Sequence, residues 1–187
     1  MVSEQEVMAD TSARMQKSLD AFAAEMRAIR TGRANPSLVE NLMVDYYGTP
    51  TPLNQLASIS VPEARMLVIQ PWDKKSIPDV EKSILKSELG LTPNNDGETI
   101  RIGIPTLTEE RRRDLVRLVG RKVEDSHVAV RNIRRDSLDL LRDMEKEKNL
   151  SQDESRRAQQ KLQELTDSFI QIIDDQGARK EKEVMEV

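Results

Sequence analysis

From Thr108 to Lys148 apolar or small residues return every three or four positions through forty-one residues that hold no proline and one glycine, Gly120. Val116, Val119, Val123, Ser126, Val130, Ile133, Ser137, Leu140 and Met144 step alternately by three and four, the mark of a helix packed lengthwise on other helices. At about 1.5 Å per residue the stretch predicts a rod of about 60 Å, which needs partners of similar length. The chain supplies two. From Ser3 to Arg30, Met8, Met15, Leu19, Phe22, Met26 and Ile29 keep the same spacing, and Thr31-Gly32 followed by Pro36 marks the stop. After a break at Asn149-Leu150, Ser151-Gln152-Asp153-Glu154 reads as a capping box opening a third helix with Ala158, Leu162, Leu165, Phe169 and Ile172 on its seam. Gly177 and the charged end KEKEVMEV predict a looser last stretch. Thr108 is the expected N-cap of the central helix, with Glu109 and Glu110 favouring its dipole and Arg111 where a capping box would place Glu or Gln.

Between Gly32 and Pro105 the pattern changes, for all eight prolines and five of the seven glycines fall there. Val39–Tyr47, Leu56–Val61, Arg65–Gln70 and Thr99–Ile104 read as strands. Gly48-Thr49-Pro50-Thr51-Pro52, Pro62-Glu63-Ala64 and Asn94-Asn95-Asp96-Gly97 separate them. Ser76–Leu89 reads as a helix with Pro78 in its first turn and Gly90 as its stop.

The fold expected is therefore α+β: an elongated antiparallel three-helix bundle, residues 1–30 and 106–187, interrupted by a small β/α/β domain, residues 31–105. The chain leaves the bundle near Arg30 to Arg33 and returns near Ile104 to Thr106. Thr31, Gly32, Arg33, Pro105 and Thr106 thus form a two-stranded connection expected to act as a hinge.

Composition narrows the function. No stretch is apolar for the length a bilayer needs, and the start MVSEQEVMAD is acidic where a signal or transit peptide would be basic, so a soluble, cytoplasmic protein is expected, with an organellar origin after transit-peptide removal left open. There are no cysteines and one histidine, which removes disulfides, thiolate metal sites and multi-histidine sites. The net charge of −4 argues against a generally basic nucleic-acid binder. Within it, Arg111 to Arg142 holds ten Lys or Arg against five Asp or Glu, so a polyanion would meet one face only.

No enzyme signature is present: no phosphate loop, no dinucleotide glycine pattern, no His-Glu-x-x-His. Asp125-Ser126-His127 has the residue types of a hydrolytic triad, but neighbours on one helix point to different sides. His127 is expected to be a solvated or hydrogen-bonded helix residue. Glu109-Glu110 and Asp174-Asp175 solvate helices rather than bind metal. No catalytic residue, metal or cofactor is expected.

The positive signal is a set of arginines. Arg113, Arg117, Arg121, Arg131, Arg135 and Arg142 fall in an arc about 80° wide opposite the seam. Acids three or four positions away account for Arg113, Arg135 and Arg142 as a solvated face. Arg131 and Arg134 have none at either spacing. Guanidinium forks suit phosphate, and the shortage of aromatics favours structured RNA or its backbone over unpaired bases. Trp72 and Tyr46-Tyr47 are read first as packing groups and second as a partner contact.

Five strings then carry a resemblance. Arg30-Thr31-Gly32-Arg33-Ala34, Tyr47-Gly48-Thr49-Pro50-Thr51-Pro52-Leu53, Leu89-Gly90-Leu91-Thr92-Pro93, Leu107-Thr108-Glu109-Glu110-Arg111-Arg112 and Val128-Ala129-Val130-Arg131-Asn132-Ile133-Arg134-Arg135-Asp136 stand in this order over essentially the whole chain. Together they resemble the bacterial ribosome recycling factor family. The resemblance implies an L-shaped, hinged monomer that binds the post-termination ribosome and, with elongation factor G and GTP, promotes its dissociation into subunits and release from mRNA. It implies a bundle anchored on large-subunit ribosomal RNA through Arg30, Arg33, Arg111, Arg112, Arg131, Arg134 and Arg135, with no membrane partner. Only Arg131 and Arg135 of these lie in the arc.

Three positions depart from the family pattern. His127 stands where Arg is usual, so a weaker or pH-dependent cationic contact is expected there. Thr106 replaces the second proline of Ile-Pro-Pro-Leu-Thr, which is expected to loosen one hinge strand. Ser137 replaces Ala, with little effect expected. The alternative function is a coiled-coil chaperone or scaffold whose exposed seam binds proteins independently of salt, whereas phosphate contacts weaken as salt rises.

Overall fold

The computed structural model describes residues 2–186. The chain forms two compact units, one made of the N-terminal stretch as far as Arg30 together with Thr108–Glu186, the other of Thr31–Leu107.

Three helices build the first unit: α1 (Glu4–Ala28), α3 (Glu109–Lys146) and α4 (Gln152–Met185). Their ends are closed by short polar side chains. Ser3 and Ser151 each accept the amide of the glutamate three residues on while that carboxylate accepts the serine amide, and Thr108 Oγ1 accepts the Arg111 amide at 3.1 Å. These bonds satisfy amides that have no partner inside the helix. A tight turn in which Lys148 takes a positive φ of 61° reverses the chain into α4, so α3 runs antiparallel to α4. It also runs antiparallel to α1: Thr11 meets Ser137 at one end and Glu25 meets Lys122 at the other. Lys161 reaches Glu4, so α1 and α4 are parallel.

The buried positions differ from the expected seams in a regular way. In α3 they are Leu115, Val119, Ser126, Val130, Ser137 and Leu141, so Val116 gives way to Leu115 and Leu140 to Leu141. In α4 they are Ser155, Ala158, Leu162, Thr166, Phe169, Ile173, Gly177 and Val184, with Thr166 and Ile173 in place of Leu165 and Ile172. In α1, Val7 and Thr11 are buried with Met15, Leu19, Phe22 and Met26, and Met8 is only partly covered. Leu115, Ser126 and Ser137 lie eleven residues apart, as do Ser155, Thr166 and Gly177. Eleven residues in three turns, about 3.67 per turn, is a longer period than the 3.5 of alternating threes and fours. A seam drawn with the shorter period agrees at some positions and slips by one residue at others. A period of about 3.67 is close to the helix's own and asks for little supercoiling.

Two apolar clusters fill the bundle. One joins Met15, Leu19, Phe22 and Met26 to Val119, Val130, Phe169 and Ile173, and the other joins Val7, Leu141, Ala158 and Leu162. On the α1–α3 side Thr11 lies between Val7 and Met15 in sequence, and its hydroxyl donates to the Val7 carbonyl and shares a 2.6 Å hydrogen bond with the Ser137 hydroxyl. Ser137 is 2% exposed. Ser137 thus adds a second bond to the Thr11 hydroxyl, which keeps its own bond to the Val7 carbonyl. α4 also stays helical through Gly177 to Val184, with both of these residues buried, which overturns the looser ending expected there.

The second unit has a hairpin, β1 (Met43–Tyr46) with β2 (Thr49–Pro52), and a four-stranded antiparallel sheet of β3 (Ala57–Glu63), β4 (Met66–Pro71), β5 (Pro93–Asn95) and β6 (Ile100–Gly103) in the order β3-β4-β6-β5. A helix, α2 (Ile77–Lys86), contributes Ile77, Val80 and Ile84 to a core with Leu67, Ile69, Ile100 and Ile102. β2 and β5 replace stretches expected as separators. Their prolines disguise them, but Pro50 and Pro52 sit in the four-residue ladder of a two-stranded hairpin and Pro93 in a three-residue ladder on the sheet's edge strand, where a missing amide is tolerated. The hairpin turns on Tyr47 and Gly48, both with positive φ, 49° and 83°, as the twist of a two-residue turn demands.

At the β5–β6 turn Asp96 accepts the amides of Glu98 at 2.9 Å and Thr99 at 2.8 Å, and these bonds hold its carboxyl at about 2. A carboxylate held below its unfolded value stabilises the fold above that value and loses the contribution as pH falls through the folded one. We expect Asp96→Asn to lower the urea midpoint of this unit at pH 6 and to cost progressively less between pH 4 and pH 2. A constant difference across that range would show that charge at Asp96 is irrelevant.

Candidate nucleic-acid interface

Arg131, Arg134 and Arg135 lie within about one turn of α3. Their surroundings differ. Arg131 is exposed, and its Nη1 reaches Glu124 Oε1 at 3.4 Å, seven residues back and beyond the three-or-four spacing at which an acid was sought. Arg135 is exposed and donates from Nη2 to Asn132 Oδ1 at 3.2 Å. Arg134 is half-buried between α3 and α4, donates from Nη1 to Gln163 Oε1 at 2.5 Å, and keeps its Nε buried without a hydrogen-bond partner.

A second group sits at the start of α3, about 30 Å along the helix. Arg111 is exposed. Arg112 is half-buried, donates from Nη1 to the Met185 carbonyl at 3.4 Å, and also has a buried Nε without a partner. It thus closes the C-terminal end of α4, where the last carbonyls lack amide donors within the helix. Because α1 is antiparallel to α3, exposed Arg30 stands at this same end of the bundle. Arg33 belongs to the second unit and is exposed there, next to Gly32 with φ 78° and the buried Thr31. Pro105 and Thr106 are exposed in the segment leading to α3.

Most other arginines of α3 are paired at the surface: Arg113 with Glu109, Arg117 with Asp114 and Arg142 with Asp139, all more than half exposed except Asp114 at half. Such pairs are worth about 0–1 kcal/mol each and weaken with salt. A phosphate can therefore displace the carboxylate at small cost, whereas the buried stems of Arg112 and Arg134 fix where their guanidinium groups point. Three-residue and four-residue spacing alone could not separate these two kinds of arginine; a cation inside the apolar arc, as Arg112 is, or at its edge, as Arg134 is, was the available signal.

His127 is turned inward. Its side chain is 14% exposed, Nε2 lies 2.7 Å from Asp174 Oδ1 on α4, and Nδ1 lies 3.6 Å from Glu124. A hydrogen-bonded helix residue is what the structure contains. Ser126 is buried and its Oγ has no partner, so the triad residue types do not assemble. Among the aromatics, two are not core residues, Trp72 at 68% and Tyr47 at 74% exposed, although the Tyr47 ring packs edge-on against Tyr46 with centroids 4.6 Å apart. Tyr46 packs on the core while both tyrosine hydroxyls donate to Asp73 Oδ2, at 3.4 and 3.0 Å.

Comparison with known proteins agrees with this architecture. The family described as "Ribosome recycling factor" matches residues 22–185. The ribosome-recycling factor of Geobacillus sp. (strain WCH70) is 58% identical over 183 residues, 98% of this chain and 99% of that one. That of Halalkalibacterium halodurans is 56% identical over 97% of this chain and 98% of its own. A solution structure of the ribosome recycling factor superposes with a TM-score of 0.78 at 41% identity, covering both chains entirely. Models for the T. thermophilus ribosome recycling factor and the E. coli elongation factor G bound to the E. coli post-termination complex include a chain with a TM-score of 0.67 at 46% identity, covering 99% of this chain and 100% of that one. With the match running through both units and through every arginine described above, the chain belongs to the ribosome recycling factor family.

Proposed function

We propose that this protein is a ribosome recycling factor: it binds the post-termination ribosome and, with elongation factor G and GTP, promotes dissociation into subunits and release from mRNA. It performs no catalysis of its own, the GTP being hydrolysed by the partner. The observation that carries this is three arginines on one turn of the long helix, Arg131, Arg134 and Arg135, in a chain whose full-length relatives are ribosome-recycling factors. Arg30, Arg33, Arg111 and Arg112 complete the contact with large-subunit ribosomal RNA. Among the described residues no helix is long and apolar enough to cross a membrane, and a monomer working in the cytoplasm accords with that.

The mechanical part is a hinge at Thr31, Gly32, Arg33, Pro105 and Thr106, between a bundle domain of residues 1–30 and 106–187 and an inserted domain of residues 31–105. Gly32 supports this: its φ of 78° and the 3.2 Å that would separate an added Cβ from Leu107 Cγ make it hard to replace. The test is polysome breakdown with purified elongation factor G and GTP. The parent protein should convert post-termination complexes to subunits. Two glycines inserted beside Gly32 or Pro105 should spare ribosome binding and impair splitting. Intact polysomes with the parent protein would overturn the function, and equal loss of binding and splitting in the insertion variants would overturn the hinge alone.

A further inference from the structure

The eleven-residue repeat of α4 brings Ala158 and then Phe169 into the bundle, and the next member of that row is Lys180. Its side chain is 12% exposed, with Nζ 3.3 Å from Glu183 Oε2. An ammonium group at a position the repeat gives to apolar residues costs stability, and a local rule broken this way is a mark of function. Lys180 lines an open cleft of about 310 Å³ between α1 and α4, together with Met26 and Arg27 from α1 and Gln176, Arg179 and Glu183 from α4. Arg27 and Arg179 are exposed. Three cations thus surround a single carboxylate.

Helix-end electrostatics explain only part of this set. Arg27 lies in the last turn of α1, where a cation complements the dipole. Arg179 and Lys180 precede the last turn of α4, whose basic residue is Lys182. The build resembles that of Arg112 and Arg134: an aliphatic stem held in the bundle and a charged end directed outward. In a three-helix bundle the groove between two helices faces away from the third, so this cleft lies across the bundle from α3.

We propose that Arg27, Arg179 and Lys180 form a second phosphate site that holds a backbone phosphate of RNA on a different side of the bundle from Arg131, Arg134 and Arg135. Gln176 supplies an amide donor and Met26 the cleft floor, while Glu183 holds the Lys180 ammonium in place. The bundle then grips RNA on two faces rather than lying on it by one. This extends the ribosomal role proposed above and rests on it for the choice of RNA.

The test is co-sedimentation of the full chain with vacant ribosomal particles across a range of salt concentrations. Arg27→Gln with Arg179→Gln should weaken binding severalfold at low salt and reduce the slope of log K against log salt by about one. Arg131→Gln with Arg135→Gln should do so independently, and the four changes together should add. Lys180→Met keeps the stem and suits the seam, so it should bind more weakly while melting no lower than the parent. If it fails to fold, the exposed Arg27/Arg179 pair decides the matter. Parental affinity and slope in the Arg27/Arg179 variant, with loss in the Arg131/Arg135 variant, would remove the second site and leave RNA binding through α3 standing. No loss in either would remove both.

Discussion

Arg134→Ala should weaken ribosome binding by about thirtyfold, the loss of a contact worth about 2 kcal/mol. The half-buried stem is the reason: the guanidinium group is aimed by Gln163 and by packing between α3 and α4, so less side-chain entropy is lost when it meets phosphate. Arg131→Ala and Arg135→Ala should each cost less, because these exposed groups must be ordered on binding and Arg131 must first leave Glu124. Arg134→Lys should recover little, since an ammonium cannot supply the planar fork. Gln163→Ala removes the aiming partner and should fall between parent and Arg134→Ala. Helix content and thermal melting should stay near parental in all of them, because none removes a core group. Binding by Arg134→Ala equal to the parent's, measured by co-sedimentation at low salt, would sink the role given to this residue. Unfolding at ordinary temperature would make it structural instead.

Gly177→Leu should destabilise the bundle by about 3 kcal/mol, at the upper end for overpacking a closed site. Even a Cβ at Gly177 would stand 2.5 Å from Val123 Cγ2 on the facing helix, and a valine in a helix has essentially one χ1 rotamer to offer in relief. The other glycine of the long helices is the control. A Cβ at Gly120 meets no heavy atom within 4 Å, so Gly120→Ala should gain about 0.5–1 kcal/mol from helix propensity. Urea unfolding followed by helix circular dichroism reads both. A midpoint for Gly177→Leu at or above the parent's would mean that α3 and α4 can part locally, contrary to their contact here.

Much of the arginine set was legible as chemistry but not as geometry. The helical arc picked out Arg131 and Arg135 because both are solvent-facing, and solvent-facing residues obey simple periodicity. Arg112 and Arg134 fell outside it: their stems lie at the seam and their charges at its edge, which periodicity alone cannot distinguish from a core position. Family resemblance is what adds them to the expected contacts. His127 was expected to be solvated or hydrogen-bonded, and only the approach of Asp174, forty-seven residues on, decides between the two.

The chain's own local signals determined the three helix starts, through Ser3, Thr108 and Ser151, and the division between a proline-free rod and a proline-rich insert, because capping and backbone restriction act over three or four residues. Tertiary structure alone decided which residue of each adjacent apolar pair is buried, Leu115 over Val116 and Ile173 over Ile172. It also decided that Gly177 is a contact rather than an ending and that Pro50 and Pro93 lie in strands. In each case the deciding term is another segment's surface: neighbours in sequence are equally apolar or equally restricted, and only the element packed against them makes one conformation cheaper than the other.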